Sequence, residues 1–219
     1  MFSSFEGISI LFATILSILP PAIMLWYRKA LSQRSFGWPF FGYSATILAM
    51  GLFGYLFSFL YQSAFPSYHI FILPQAFFTF LLFKNEYYSV KFKKLAYLFL
   101  IIGLLSEVIE FNVRGGFLTD NSITYSIVNL TFIAHYLFYI IDNFKNKPSV
   151  ILNPKGSFMI ISATFIYSII QLLFSFVIEG IRFQITNNYA NLIWSIFACL
   201  WILYLIIISY YLWKNLGRK

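Results

Sequence analysis

The chain has 219 residues, 60% of them hydrophobic and only 10% charged, and its mean hydropathy is +0.79. Soluble domains carry about 25% charged residues, so a soluble fold is excluded, and apolar runs of about 20 residues recur often enough to fill the length with roughly seven spans. A single cysteine, Cys199, excludes an intrachain disulfide framework and a cysteine-rich metal centre.

The first apolar run, residues 7–27, contains Thr14, Ser17 and the pair Pro20-Pro21. It follows a stretch without basic residues, so it reads as an uncleaved first span rather than a removable signal peptide. The second run, 40–61, presents Ser44, Gly51, Tyr55, Ser58 and Gln62 at helical spacing. The third, 68–83, is short; it carries His69 at its leading edge, Pro74 beside Gln75, and Thr79 one turn further on. The fourth, 95–111, contains two carboxylates, Glu107 and Glu110. The fifth, 122–141, includes Asn129 and aligns Thr131, His135 and Tyr139. The sixth, 158–178, has the most regular polar stripe, Thr164, Ser168, Gln171 and Ser175, and the seventh, 190–213, carries Cys199 in its middle. Turn signals stand at Gly115-Gly116 and at Asn153-Pro154-Lys155-Gly156. The expectation is an all-α, polytopic membrane protein of seven transmembrane helices, a single domain over residues 1–219.

The formal charge of +8 is distributed along the chain by side of the membrane. Arg28, Lys29 and Arg34 follow the first run; Lys84, Lys91, Lys93 and Lys94 follow the third; Lys145, Lys147 and Lys155 follow the fifth; Lys214, Arg218 and Lys219 close the chain. Alternate loops hold only Arg114 and Arg182. Short loops rich in Lys and Arg stay in the cytoplasm, which predicts the N-terminus outside and the C-terminus cytoplasmic. The surplus charge is therefore a topology signal with some attraction to anionic lipid, and it points to the bilayer as partner rather than to nucleic acid.

Hydroxyl and amide stripes on membrane helices turn toward other helices or a cavity. A carboxylate is costlier, at least about 2.5–3.5 kcal/mol at the bilayer centre. Glu107, Glu110 and Arg114 fall at i, i+3 and i+7, one face of the fourth span, and Glu110 to Arg114 is the favourable order for a helical ion pair. Glu107 has no partner within its own span. His135 lies in the inner half of the fifth span, at a different depth from His69, which argues against a haem held between them. Neither histidine stands in a cluster of metal ligands, so no metal and no cofactor are expected.

The seventh span has no lysine before Lys214, which excludes a retinal Schiff base. Pro74-Gln75 matches the dipeptide of the PQ-loop transporters, but that family places it in the first helix of a three-helix repeat and here it falls in the third span. Nucleotide-binding glycine loops and intramembrane-protease motifs are not found. In its length, basic inner loops, the Asn153-Pro154-Lys155-Gly156-Ser157-Phe158 lead-in to the sixth span, Tyr167 within it, and Asn191 and Trp194 opening the seventh, the chain resembles the small seven-transmembrane-helix proteins of Bacteroidetes. That resemblance implies a bacterial inner-membrane location and a signalling or accessory role beside a membrane or signalling partner, and it assigns no site residues.

The function expected from these features is a non-enzymatic receptor or sensor. An outward-facing polar pocket would be built from Glu107, Glu110 and Arg114, with Gln75, Asn129 and Gln171 beneath and His135 relaying inward. A small-solute or proton-coupled transporter and a structural subunit of a membrane complex are the alternatives.

Overall fold

Seven helices of the protein are long and apolar enough to cross a membrane. That is the number the apolar runs predict. The computed structural model describes residues 5–61, 63–119, 121–148, 156–181 and 187–217. Among these the regular structure is all helical: α1 (Phe5–Leu16), α2 (Leu19–Trp26), α3 (Arg28–Ser32), α4 (Gly37–Tyr61), α5 (Phe65–Glu86), α6 (Val90–Arg114), α7 (Ser122–Asn146), α8 (Gly156–Ile181) and α9 (Asn187–Leu216). Gln62, Arg182, the turn at 153–155, Arg218 and Lys219 lie outside the described residues.

The first span is two helices in line. α1 ends at Leu16, and Pro20 and Pro21 enter the first turn of α2, where their missing N–H groups cost no helical bond. Both prolines are buried, as are Thr14 and Ser17. Pro74, by contrast, stands inside α5 and removes one rung of its ladder. α6 stops at Gly115, whose φ of +91° favours a residue without Cβ; the Gly116 N–H then returns to the Phe111 carbonyl at 3.0 Å.

The spans close into a ring in chain order: α4 against α5, α5 against α6, α6 against α7, α7 against α8, α8 against α9, and α9 against both halves of the first span. α5 also reaches α7 directly, so α6 sits outside the groove between them. Its sequence explains that position. Ala96, Gly103, Glu107 and Glu110 are its buried residues, a single narrow strip, while Leu98, Ile101, Leu105, Val108 and Ile109 face outward. In a membrane an apolar outer face meets lipid and needs no protein cover. Gly103 on the strip lies against Ala76 of α5 and Val128 of α7, with 3.5 and 3.6 Å from its Cβ position to their methyl carbons.

The main core gathers Phe40, Tyr43, Phe83, Phe132 and Tyr139 with Ile160, Leu205 and Ile208. Toward the end of the bundle that carries the basic loops, Lys84 lies over the rings of Phe80 and Tyr97 at 5.3 and 4.9 Å, and Lys214 over Tyr210 at 5.5 Å. Such contacts bury an aliphatic stem while the ammonium reaches water.

Several helices outrun their apolar runs. α7 continues past residue 141 to Asn146, with Asp142 and Asn143 fully buried. α6 begins at Val90, five residues ahead of its apolar run. The Asp142 carboxylate joins the two extensions. It accepts the N–H groups of Tyr88, at 2.6 Å, and of Ser89 just ahead of α6, and Asn146 donates to it at 2.7 Å. Helix starts leave N–H groups orphaned, and here the neighbouring helix supplies the acceptor.

Candidate functional site

The face predicted to carry Glu107, Glu110 and Arg114 turns toward α5, α7 and the connection 115–121. Glu110 is buried, and its Oε1 meets Arg114 Nε at 3.2 Å, the i,i+4 pair expected. Its larger role was not legible in the spacing. Oε2 accepts the Thr124 N–H at 2.6 Å and Oε1 the Ile123 N–H at 3.2 Å, which are orphan donors in the first turn of α7. Glu110 and Asp142 thus form a reciprocal pair: each sits near the end of one helix of the α6–α7 hairpin and caps the start of the other.

Glu107 has a partner, and it is His69. The His69 Nδ1 lies 2.6 Å from Glu107 Oε1, and its Nε2 lies 2.9 Å from the Thr119 carbonyl. The rings of Phe111 and Phe117 stand edge-on to the imidazole. His69 is 2% exposed and Glu107 5% exposed, so the pair is sealed. A carbonyl only accepts, so Nε2 carries a hydrogen. A 2.6 Å contact at Nδ1 then needs one more proton, on Nδ1 facing a carboxylate or on the carboxyl facing an imine lone pair. Either way the pair holds one proton more than a neutral histidine beside an ionised glutamate. Glu107 Oε2 is buried with no hydrogen-bond partner, a cost that falls when the carboxyl is protonated.

Sequence reasoning placed His69 at the edge of its span but did not pair it. The signal existed. Spans three and four are antiparallel neighbours; His69 stands early in one and Glu107 late in the other, so both lie near the same end.

Gln75, Asn129 and Gln171 belong to a second group, inside the ring. Each is at most 2% exposed. Gln171 Nε2 donates to the Tyr125 hydroxyl, and Asn129 Nδ2 donates to the Tyr125 carbonyl at 2.9 Å. The Tyr43 hydroxyl stands beside Gln75 and Ser168, which face it as hydrogen-bonding neighbours. Ile72, Ala76 and Val128 form an apolar patch of α5 and α7, under Gly103, one turn from Glu107 on the buried strip. Among the described residues no hydrogen bond joins the carboxylates to the amides. The single pocket expected from sequence is therefore two polar groups.

His135 is enclosed by rings: Phe83 stacks on it with centroids 4.8 Å apart, and Phe99 meets it edge-on at 4.8 Å. The Tyr87 hydroxyl donates to the His135 carbonyl at 2.9 Å and lies 2.9 Å from its Nδ1. With that hydroxyl proton committed to the carbonyl, Nδ1–H is the donor in the second contact. Burial, with the Asp142 charge adding to it, pushes the Tyr87 phenol above its ordinary range and keeps it neutral. His135 thus ties α7 to the connection ahead of α6.

No group of three or more metal-ligating side chains occurs among the described residues. No family, curated protein or solved structure matches this chain.

Proposed function

We propose that the protein is a non-enzymatic, multi-pass sensor of the bacterial inner membrane whose charged reader is the His69–Glu107 pair. The N-terminus would lie outside and the basic loops in the cytoplasm, which puts the pair toward the outer face. The observation that carries this reading is the 2.6 Å contact between two titratable groups sealed from solvent. Of the stimuli a carboxylate reads, burial favours the proton, because a cation or amine needs room beside it. The charged groups on the facing elements are few: Glu110 and Arg114 on α6 engage one another, and Asp120 in the connection lies outside the described residues.

Removing the shared proton sets an imine lone pair against a carboxylate. The latch between α5 and α6 then opens, and α6 carries the change to the basic end, where Asp142 and the Tyr87–His135 contact hold its start. A membrane or signalling partner would read that movement.

The test is the thermal stability of the full chain in nanodiscs from about pH 5 to about pH 10. The natural protein should show a change in melting temperature across this range that Glu107→Gln lacks, since a glutamine amide donates to Nδ1 without any extra proton. Parallel profiles for the two proteins would refute the reading.

A proton-coupled transporter is the second reading, supported by the break between α1 and α2 and by Pro74 within α5, because interrupted helices often border transported solutes. Accumulation of a solute in proteoliposomes along an imposed proton gradient would select it.

A further inference from the structure

The outer side of α6 is furrowed where the helix begins. Val90, Lys91, Lys94, Leu95 and Leu98 line an open groove of about 430 Å³ there. The last four stand at i, i+3, i+4 and i+7, which is one face of a helix. That face lies opposite the buried strip of Ala96, Gly103, Glu107 and Glu110, so the groove belongs to neither polar group of the interior.

The two ends of this face differ in chemistry. Lys91 and Lys94 are exposed, and neither forms an ion pair among the described residues. The carboxylates described at this end of the bundle are engaged elsewhere, Glu86 with Ser35 and Asp142 with the N–H groups of Tyr88 and Ser89. The start of a helix adds the positive end of its dipole, so the groove favours an anion. Beyond the lysines, Leu98, Ile102, Leu105 and Ile109 continue the same face as an exposed apolar lane. From Lys94 to Leu105 the helix rises about 16 Å, close to half the hydrocarbon thickness of a bilayer, about 15 Å. Tyr97 marks the boundary: its ring is half exposed and the Lys84 ammonium lies 4.9 Å from its centroid. Tyrosine rings gather at the level of the lipid headgroups.

The fitting occupant is anionic at one end and a long apolar chain at the other. A free phosphate would engage the lysines and leave the lane empty. A partner helix packs best on small residues that let backbones approach, and on α6 those are Ala96 and Gly103, on the opposite face. We propose that this groove is a binding site for one anionic phospholipid, with its phosphate between Lys91 and Lys94 and an acyl chain along Leu98, Ile102 and Leu105. Basic pockets beside membrane helices hold anionic headgroups in this way. A lipid seated there braces from outside the same helix start that Asp142 holds from within. The proposal stands apart from proton reading at His69–Glu107 and does not depend on it.

The experiment is native mass spectrometry of the full chain released from nanodiscs of phosphatidylglycerol and phosphatidylethanolamine in equal amounts. The natural protein should retain one phosphatidylglycerol, with a preference of about tenfold over phosphatidylethanolamine. Lys91→Gln combined with Lys94→Gln should lose that preference. Leu98→Trp, which keeps both lysines and fills the groove, should lose it too. Arg28→Gln combined with Lys29→Gln, an equal loss of charge on α3, should keep it. Glu107→Gln should also keep it, so failure here and failure of the proton reading are separable. Equal losses in the two double variants would mean diffuse attraction to net charge and would overturn the proposal. Displacement of the lipid by soluble glycerol phosphate would overturn it in favour of a free-phosphate site. A dimer that Leu98→Trp dissociates, with no lipid preference, would assign the face to a second copy of the chain instead.

Discussion

The buried acids of this protein differ in the number of donors that meet them, and that number ranks their structural weight. Asp142 gathers two backbone N–H groups and the Asn146 amide; truncating it orphans the Tyr88 and Ser89 N–H groups, while Asn146 keeps the Asp142 backbone carbonyl. Asp142→Ala should destabilise the protein by about 1–3 kcal/mol, read as a lowered melting temperature. Asp142→Asn, which keeps one acceptor, should lose less. If Asp142→Ala melts like the natural protein, the start of α6 is not held as described. Sequence marked Glu107 and Glu110 because a carboxylate inside an apolar run is conspicuous. It passed over Asp142, which follows the run and reads as a loop residue, although it is fully buried. It also left His69 unpaired, since a histidine at a span edge carries no one-dimensional sign of which helix it faces. Arg114 was legible because an i,i+4 pair lies within a single helix, and the longer-range partners were not.

At the scale of elements, α6 is a peripheral helix, attached by one strip of buried residues and by polar contacts near both ends. Its grip on the groove between α5 and α7 depends on close approach at Gly103, where a Cβ would sit in ordinary contact with Ala76 and Val128. Alanine should fit there. Gly103→Leu should wedge α6 outward and pull Glu107 from His69, so that the protein keeps its helix content by circular dichroism but shows no pH dependence of melting. An unchanged pH profile in that variant would show that the latch does not rest on this seam. The helix count and the turn at Gly115 were legible, because hydropathy and glycine in the left-handed region are local signals. The divided first span was foreshadowed by Pro20-Pro21. The peripheral seat of α6 was not, since lipid-facing and protein-facing positions are equally apolar in composition; only its one glycine-and-carboxylate strip hinted at it.

For the whole molecule, the sidedness of the protein decides what each of its polar groups meets. The described basic residues of the connections after the first, third and fifth spans, with Lys214, gather at one end of the ring, and Arg114 stands at the other. Loop charge fixes orientation during insertion, so a green fluorescent protein fused after residue 219 should fluoresce in the bacterial cytoplasm. Alkaline phosphatase fused within the connection 115–119, ahead of α7, should be active, because that enzyme matures only outside the inner membrane, where disulfides form. The reverse pattern would place His69 and Glu107 on the cytoplasmic side. Their shared proton would then report internal rather than external acidity, and any partner would have to meet the protein at the end that carries few charges.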